Sequence, residues 1–247
     1  MIKRKEIQDL ADSYDTNNIT IGVLGGHSAL DVCRGAKKYG FHTLAVCQKG
    51  RERTYTKYYR TRENGRGCID EAIVLDRFSD VTKPEVQEKL REKNTIFIHN
   101  RYFWVYFDFT DIENNFLVPI FGNRGMLKLE ERDVPKNQYY LLEKAGIRYP
   151  KIFKSPEEID RLVIVKVNEA IRGYERAFFY ASSYEDYKKK SKELLERKMI
   201  TEEALKNAVI EEYVIGAQIN FNYFYSIIDK ELEIMGCLLY TSPSPRD

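Results

Sequence analysis

The sequence has few cysteines and histidines and no long apolar run. Its 247 residues include four cysteines, three histidines and one tryptophan. No cysteine forms a CxxC pair and no histidine lies at metal-ligand spacing. This pattern argues against a zinc site and favours reduced thiols over a disulfide framework. No run approaches the roughly 18 apolar residues of a membrane span, and the basic N-terminus lacks the apolar core of a secretory signal. We therefore expect a cytoplasmic protein.

Net charge is also nearly absent. The chain carries 40 Lys and Arg against 38 Asp and Glu, a formal charge of +2. This balance gives no overall attraction to nucleic acid or to an anionic membrane, so we expect neither as a partner. Any bound phosphate must be held by local groups. The basic run KKKSKELLERK, residues 188–198, has charges on most faces of a helix and is interpreted as a solvated surface.

The last eleven residues, CLLYTSPSPRD, differ from the strand pattern that precedes them. Such a Ser- and Pro-rich end is typical of a disordered native tail. The string also resembles read-through into vector sequence. We therefore expect residues 237–247 to be a non-native tail on a chain whose natural continuation is missing, and they are left out of the fold prediction.

Strands and helices alternate over residues 1–125. Apolar runs predict strands at 19–24, 42–48, 72–75 and 95–99, and amphipathic segments predict helices at 3–14, 28–40 and 83–94. This alternation predicts an α/β domain with a doubly wound parallel sheet. Ligands of such sheets bind at the carboxyl ends of the strands, where GGHS (25–28), QKGR (48–51) and HNRYF (99–103) lie.

From Asn123 the pattern changes to that of a second, α+β domain, assigned to residues 126–236. Two helices with a short connection come first, and Gly146 and Pro150 end the second of them. Further strands are predicted at 162–167, 176–182, 208–214, 218–227 and 231–236, and further helices at 184–198 and 201–207.

Two of the three histidines, His27 and His99, follow predicted parallel strands. One such histidine is more often structural, but two at the same sheet edge indicate a site, because imidazole can donate to phosphate or move a proton. His42 begins a strand and is interpreted as structural. The GGHS turn can direct backbone N–H groups at an anion, although a tight turn that needs glycine explains the same pattern.

Basic side chains follow two further strand ends. Lys49 and Arg51 form a candidate anion contact, although basic loops are usually only solvated. Arg101 precedes Tyr102, Phe103 and Trp104. This cluster suits a planar, phosphorylated ligand, through stacking and charge-assisted hydrogen bonds. Alternatively, at least two of the aromatic side chains pack in the core.

Lys166 ends the apolar run of a predicted strand, so its ammonium must reach water or a partner. It can hold the α- and β-phosphates of a nucleotide, while the hairpin at 168–176 covers the rest with Arg172 and Arg176 as donors. Downstream, the chain leaves a predicted strand, and exposed backbone groups there can form hydrogen bonds with the edge of an adenine ring. Glu211 can accept a hydrogen bond from the adenine amino group. These hinge residues are Glu211, Glu212, Tyr213 and Val214. Either stretch alone is compatible with ordinary β structure.

Together these stretches resemble the ATP-grasp superfamily, in which a pre-ATP-grasp domain precedes a lysine-bearing strand, a phosphate loop and an E-E-Y-V hinge. More narrowly, the sequence is similar to the archaeal FAICAR synthetase family. The blocks that carry this similarity include ITIGVLGGHSAL (19–30), ENNFLVPIFGNR (113–124), LLEKAGIRYPK (141–151) and IEEYVIGAQINFNYFYS (210–226). The resemblance spans residues 1 to about 236 and implies a pre-ATP-grasp domain followed by an incomplete ATP-grasp domain.

The resemblance implies a ligase that uses ATP and formate to formylate the amine of AICAR, through formyl phosphate, with Mg²⁺ bridging the phosphates. His27 matches the family histidine that contacts AICAR, and Ser28 and Arg101 are assigned to the same site. Lys166 and the hinge match the ATP site. The metal carboxylates of ATP-grasp enzymes come from final strands that this sequence lacks, so we assign no metal ligand and expect the 247 residues to be inactive. Members of the family tend to assemble, which leaves a homo-oligomer open.

Two departures from the family pattern leave alternatives. An H-G-S-F type loop, whose serine contacts AICAR in the family, is replaced by HNRYF. A loop of several glycines after the lysine is replaced by one with Gly173 alone. The alternatives are a related ligase with a different acceptor and a catalytically silent nucleotide-binding homologue.

Overall fold

The computed structural model describes residues 2–100, 102–127, 129, 134–167 and 178–239. Three predicted site residues, Arg101, Arg172 and Arg176, lie outside these ranges. The chain divides into two compact units, Met1–Leu141 and Leu142–Asp247. The domain boundary near residue 125 stays a prediction. Within the described ranges, no helix is long and apolar enough to cross a membrane.

The first unit alternates strands with helices, as the sequence predicts. Its strands are β1 (Thr20–Leu24), β2 (His42–Gln48), β3 (Glu71–Leu75) and β4 (Thr95–Ile98). Its helices are α1 (Arg4–Asp12), α2 (Ala29–Lys38), α3 (Pro84–Glu92), α4 (Tyr102–Tyr106) and α5 (Phe109–Asn115), and α6 (Gln138–Lys144) spans the division between the units. A single turn of π-helix, Thr54–Tyr58, lies in the connection from β2 to β3, where no element is predicted.

The four strands form one parallel sheet in the order β3-β2-β1-β4. Apolar side chains cover both faces: Leu24 and Phe97 belong to one buried cluster, and Val23 and Cys47 to another. This confirms the doubly wound parallel sheet. The strand order reverses between β1 and β4, and ligands of such sheets bind in the crevice at this switch point.

The cysteines match the prediction of reduced thiols. All four are free, and Cys33, Cys47 and Cys68 are buried in the same apolar cluster. Burial raises the pKa of the Cys33 and Cys47 thiols to about 12, so both remain protonated at neutral pH. These buried thiols are unreactive and contribute to packing.

A polar network lies at the amino-terminal edge of the sheet, opposite the predicted site. The Asp70 carboxylate, with a side chain 11% exposed, accepts hydrogen bonds from Lys37 Nζ (3.0 Å) and from the Thr43 backbone N (2.9 Å). His42 lies 3.5 Å from Asp70 and 3.1 Å from Glu71, and Glu71 also pairs with Lys93 at 2.7 Å. The structural interpretation of His42 is confirmed.

This network is expected to make stability depend on acidic pH. Burial raises the pKa of Asp70, but hydrogen bonds from Lys37 and Thr43 outweigh it, so that the pKa lies below the ordinary 3.8. A hydrogen bond from Lys93 lowers the pKa of Glu71 below 4.5. Because both folded-state values are depressed, the stabilisation is present above the ordinary values and is lost as pH falls through the folded ones.

Thermal unfolding followed at pH 7, 5, 4 and 3 checks this expectation. The loss on acidification is expected to be about 1–3 kcal/mol larger in the wild type than in Asp70→Asn. Asp9→Asn, an exposed carboxylate on α1, serves as the matched control. Equal acid sensitivity in the wild type and Asp70→Asn would show that the network contributes nothing.

The second unit contains an antiparallel sheet of order β5-β8-β6-β7 and a separate hairpin, β9-β10. Its strands are β5 (Ile152–Phe153), β6 (Val163–Lys166), β7 (Phe178–Ala181), β8 (Val209–Glu212), β9 (Ile219–Tyr225) and β10 (Leu232–Leu239). Its helices are α7 (Tyr184–Glu196) and α8 (Glu202–Lys206). Strand β10 runs to Leu239, so the predicted strand end at residue 236 was too early.

One face of the four-stranded sheet is packed and the other is open. Val163, Val165, Phe179 and Ile210 point to the packed side and share a buried cluster with Tyr187 of α7. The outward-facing lysines of α7, such as Lys188, are exposed, as the solvated-surface interpretation predicts. The opposite, open face carries Lys166 and Glu211 of the predicted nucleotide site.

Candidate functional site

The first candidate site lies at the turn that follows β1. The side chains of His27 and Ser28 are exposed there, and His27 Nδ1 lies 2.8 Å from Ser28 Oγ. Ser28 adopts a left-handed backbone (φ 62°) just before α2. The N–H groups of Gly25 and Gly26 donate to the carbonyls of Val46 and Leu24, at 2.7 and 2.8 Å. These two glycine N–H groups are used within the fold, and the anion contact expected at the turn stays a prediction.

Close packing explains the two glycines. A Cβ on Gly26 would lie 1.9 Å from the ring of Tyr102, and one on Gly25 would lie 2.9 Å from Cys47 Sγ. The same Cβ on Gly25 would lie 3.0 Å from the Tyr55 ring, and the Tyr55 hydroxyl donates to the Gly26 carbonyl at 3.4 Å. Two tyrosines therefore fix the turn that presents His27.

The end of β4 lies beside this turn. His99 and Asn100 follow β4, which pairs directly with β1. Asn100 is buried; its Nδ2 donates to the Leu24 carbonyl (2.9 Å) and its Oδ1 accepts from the Tyr102 N–H (3.0 Å). The structure thus brings His27 and His99 to the ends of neighbouring strands at the switch point. Asn100 holds these two strand ends together, a role that the sequence did not reveal.

The aromatic residues of the HNRYF loop pack inside the first unit. Phe103 is fully buried, and Tyr102 packs edge-on against Phe78 and Tyr106, with ring centroids 5.2 and 5.1 Å apart. The core-packing alternative is therefore confirmed for Tyr102 and Phe103. Arg51 contacts the end of α4, the helix that begins in this loop, since its Nη1 donates to Tyr106 Oη at 2.8 Å.

The FGNR block carries a structural arginine that sequence reasoning missed. Arg124 Nη1 donates to the carbonyls of Ile112 (2.7 Å) and Phe116 (2.6 Å), and Nη2 donates to that of Val118 (2.7 Å). Burial lowers the pKa of Arg124 to about 10, so it remains charged at neutral pH. Arg124 therefore holds its own segment against α5 and against residues 116–118, which follow α5.

The second candidate site lies on the open face of the antiparallel sheet. Ile164 of β6 pairs with Glu211 of β8, so Lys166, two residues further on, projects from the same face as Glu211. Lys166 Nζ forms an ion pair with Glu211 Oε1, and the two side chains are 25% and 9% exposed. A buried carboxylate and a partly exposed ammonium thus meet at the centre of an open surface.

Apolar and aromatic side chains surround this ion pair. Register places Ile152, Phe178 and Tyr180 on the same face, and all three are exposed. Tyr180 meets Tyr213 edge-to-face at a centroid distance of 4.9 Å. Beyond Tyr213, Val214 is exposed. Flat apolar groups next to a cation match the two parts of a nucleotide, a base and its phosphates.

Glu212 has a different environment from Glu211. Its carboxylate accepts from the Lys151 backbone N–H and from Arg161 Nη1, both at 3.2 Å. The hydrogen bond from Lys151, followed by that from Arg161, lowers the pKa of Glu212. The Tyr213 N–H donates to the Leu162 carbonyl at 2.9 Å. The side chain of Glu212 thus fastens the strand exit, and its assignment to nucleotide binding stays a prediction.

Comparison with known proteins identifies the family. The family described as "Protein of unknown function (DUF1246)" matches residues 21–153, which is more than half of the chain. The chain belongs to this family. A second model, "Domain of unknown function (DUF1297)", matches residues 186–238.

Relatives of this DUF1246 protein carry a functional name. It is 43% identical over 236 residues to the 5-formaminoimidazole-4-carboxamide-1-(beta)-D-ribofuranosyl 5'-monophosphate synthetase (FAICAR synthetase) of Methanothermobacter thermautotrophicus, covering 95% of this chain and 61% of the relative. It is 41% identical to the protein of the same name from Methanocaldococcus jannaschii, covering 96% and 62%. The similarity to the archaeal FAICAR synthetase family is thereby confirmed. The chain spans about three fifths of the length of these relatives.

Solved structures show the fold. The IMP biosynthesis protein PurP of Thermococcus kodakaraensis superposes with a TM-score of 0.58 at 22% identity, covering 88% of this chain and 58% of that one. The ADP complex of purK, an N5-carboxyaminoimidazole ribonucleotide synthetase, gives 0.61 at 13% identity, covering 90% and 54%. The predicted fold class, an α/β domain with a doubly wound parallel sheet followed by an α+β domain, is confirmed.

Among the residues that the structure describes, no group of three or more His, Cys, Asp or Glu side chains could hold a metal ion. The use of Mg²⁺ therefore stays a prediction, and no catalytic step is assigned to a metal on this chain.

Proposed function

We propose that this protein acts as an ATP- and formate-dependent ligase that formylates the amine of AICAR. The observation that carries the proposal is the Lys166–Glu211 pair on an open, aromatic sheet face. Identity of 43% to a FAICAR synthetase supports the choice of acceptor. In this proposal each compact unit supplies one site: the turn at His27 takes the acceptor, and the face around Lys166 takes ATP.

Lys166 and Glu211, which pair directly in the structure, contact different parts of ATP in this proposal. The Lys166 ammonium binds the α- and β-phosphates, replacing part of its pairing with Glu211 by charge-assisted hydrogen bonds to phosphate oxygens. Glu211 then accepts from the amino group of adenine, and Tyr213 and Val214 line the base. Phe178 and Tyr180 offer apolar contact area for the purine ring.

At the acceptor site, His27 and Ser28 bind the AICAR nucleotide. A formate oxygen attacks the γ-phosphorus of ATP, ADP leaves, and formyl phosphate forms. The AICAR amine then attacks the formyl carbon, and inorganic phosphate leaves as the amine loses a proton. His27 is exposed and takes this proton in the proposal, because an imidazole nitrogen can accept a proton as a general base. Formate needs this activation because resonance makes its carboxylate a poor electrophile.

Two measurements test the proposed function. Calorimetry on this chain is expected to show binding of ATP and of AICAR, each without the other. The gene product extended to the length of its relatives is expected to form FAICAR only when ATP, formate and AICAR are all present. Binding of ATP without AICAR would contradict the choice of acceptor, and failure to bind ATP would contradict the proposal as a whole.

A second candidate function is a ligase with the same activation chemistry and a different acceptor amine. Asn100 favours it, because a buried amide that bonds to Leu24 and Tyr102 stands in the loop where the family pattern has a substrate-contacting serine. Turnover of ATP and formate with a different imidazole or purine amine, but not with AICAR, would select this function.

A further inference from the structure

The connection from β2 to β3 carries a carboxylate for which the fold supplies no donor. Glu52 lies four residues beyond Gln48, the last residue of β2, and its Oε2 is covered by protein. Within the described ranges, this oxygen accepts no hydrogen bond. Covered carboxylate oxygens are normally hydrogen-bonded, because an unpaired one is costly to remove from water. The missing donor can therefore come from a ligand.

The backbone of Glu52 is firmly held. Its carbonyl accepts hydrogen bonds from the N–H groups of Tyr55 and Thr56, both at 2.9 Å, and from Thr56 Oγ1 at 3.0 Å. Tyr55 is buried, and a Cβ on Gly25 would lie 3.0 Å from its ring. Tyr55 therefore ties the segment of Glu52 to the turn that presents His27.

The carboxylate of Glu52 lies at the same carboxyl edge of the parallel sheet. Burial raises the pKa of the Cys47 thiol to about 12, and the nearby negative charge of Glu52 adds to the rise. Cys47 belongs to β2, and its Sγ would lie 2.9 Å from a Cβ on Gly25. Strands β1 and β2 are direct neighbours, with Leu24 opposite Val46. Glu52 is thus placed beside the turn between β1 and α2.

An unpaired carboxylate attracts hydrogen-bond donors and repels negative charge. It disfavours a phosphate, and the described residues place no metal-binding group of three side chains around it. The reacting amine of the acceptor must remain available for formyl transfer. Of the remaining donors, the hydroxyls of a ribose are favoured, because an acidic residue beyond the second strand of a nucleotide-binding doubly wound sheet typically accepts from them.

We propose that Glu52 binds the ribose hydroxyls of the acceptor ribonucleotide at the edge that carries His27 and Ser28. The proposal rests on the proposed function, because it takes the acceptor to be a ribonucleotide bound beside His27. The two carboxylate oxygens accept charge-assisted hydrogen bonds from the neighbouring 2'- and 3'-hydroxyls. The ligand thereby supplies the donors that the fold lacks, and Glu52 takes no part in formyl transfer.

Calorimetric titrations of AICAR and of its 2',3'-dideoxy analogue test this assignment. The wild type is expected to bind the analogue about 10- to 100-fold more weakly than AICAR, the loss of hydrogen bonds to a charged acceptor. Glu52→Ala is expected to weaken AICAR binding by a similar factor and to bind both ligands equally. Glu63→Ala, which changes an exposed glutamate of the same connection, is the matched control and is expected to keep the wild-type preference.

Thermal unfolding without ligand gives an independent readout. Glu52→Gln keeps the shape of the side chain and removes its charge. Because the fold leaves this charge without a donor, the variant is expected to melt at no lower temperature than the wild type. A clear fall in the melting temperature would overturn the inference, since the carboxylate would then serve the fold.

The outcomes separate this inference from the proposed function. If AICAR does not bind, but IMP binds and its preference over 2',3'-dideoxy-IMP needs Glu52, the acceptor is wrong and the ribose site stands. If AICAR binds and Glu52→Ala keeps the wild-type preference for the hydroxyls, only this inference is overturned. An equal loss of AICAR and analogue binding would also overturn it, because Glu52 would then act on another part of the ligand or through the turn. Failure to bind either ribonucleotide would overturn both.

Discussion

Lys166→Ala is expected to lower the affinity for ATP by about 100-fold, equivalent to roughly 2–3 kcal/mol. Two effects add. The phosphates lose a charge-assisted hydrogen bond, and Glu211, with a side chain only 9% exposed, keeps a carboxylate without the lysine that pairs with it. A negative charge left at the centre of the site repels the triphosphate. Isothermal calorimetry with ATP measures the change directly.

Two further variants make this expectation specific. Lys190→Ala removes a lysine of α7 that pairs with Asp186 at 2.9 Å, outside the open face, and is expected to bind ATP normally. Lys166→Ala combined with Glu211→Gln is expected to recover part of the lost affinity, because the repelling charge is gone. Unchanged ATP binding in Lys166→Ala would refute the assignment of the nucleotide to this strand.

Arg124→Ala is expected to destabilise the first unit by about 3–5 kcal/mol. The substitution leaves the carbonyls of Ile112, Phe116 and Val118 without the guanidinium that now donates to them. Such buried carbonyls are costly when their donors are removed. Urea denaturation measures the change in the free energy of unfolding of the first unit.

Arg124→Lys serves as the internal comparison. A lysine keeps the charge but cannot reproduce the planar fork that reaches three carbonyls, so it is expected to recover less than half of the loss. Arg4→Ala, on the exposed surface of α1, is expected to change stability by less than about 0.5 kcal/mol. If Arg124→Ala unfolds at the same urea concentration as Arg4→Ala, Arg124 does not stabilise the first unit as expected.

Much of the fold follows from local sequence patterns. The run 42–48 is apolar because both faces of β2 lie in a covered sheet, and the predicted bounds of β2 and of the edge strand β3 agree with the structure to within one residue. The placement of His27 and His99 near one edge also followed, since parallel strands end at the same side of a sheet. Lys166 could be singled out because a lysine at the end of an apolar strand needs a partner.

Other features depend on contacts between distant parts of the chain. The sequence assigns both Lys166 and Glu211 to the nucleotide site. Their direct pairing follows only from the register of β6 and β8, because the two residues are 45 positions apart in the sequence. The three carbonyls held by Arg124 have no signature in the residue types that carry them. Asn100 was interpreted only as part of a departure from the family loop, whereas its amide fastens two strand ends.

The hairpin β9-β10 illustrates a further limit of sequence patterns. Both strands are predicted from the sequence, and in the structure one face of the hairpin collects Phe221, Tyr223, Tyr225 and Ile234. These side chains are exposed in the structure, although such an apolar surface is typical of one that is covered by another element. Alternation predicts which side chains share a face, but not what lies against it.

Hydrogen exchange with and without ATP tests the nucleotide site most directly, because it reports where the ligand binds and not only that it binds. Saturating ATP is expected to slow amide exchange within residues 163–167 and 209–215 and to leave β1, at Thr20–Leu24, unchanged. The contradicting result is ATP binding by calorimetry with no change of exchange in those two segments. The nucleotide would then lie elsewhere, and Lys166 and Glu211 would form a purely structural ion pair.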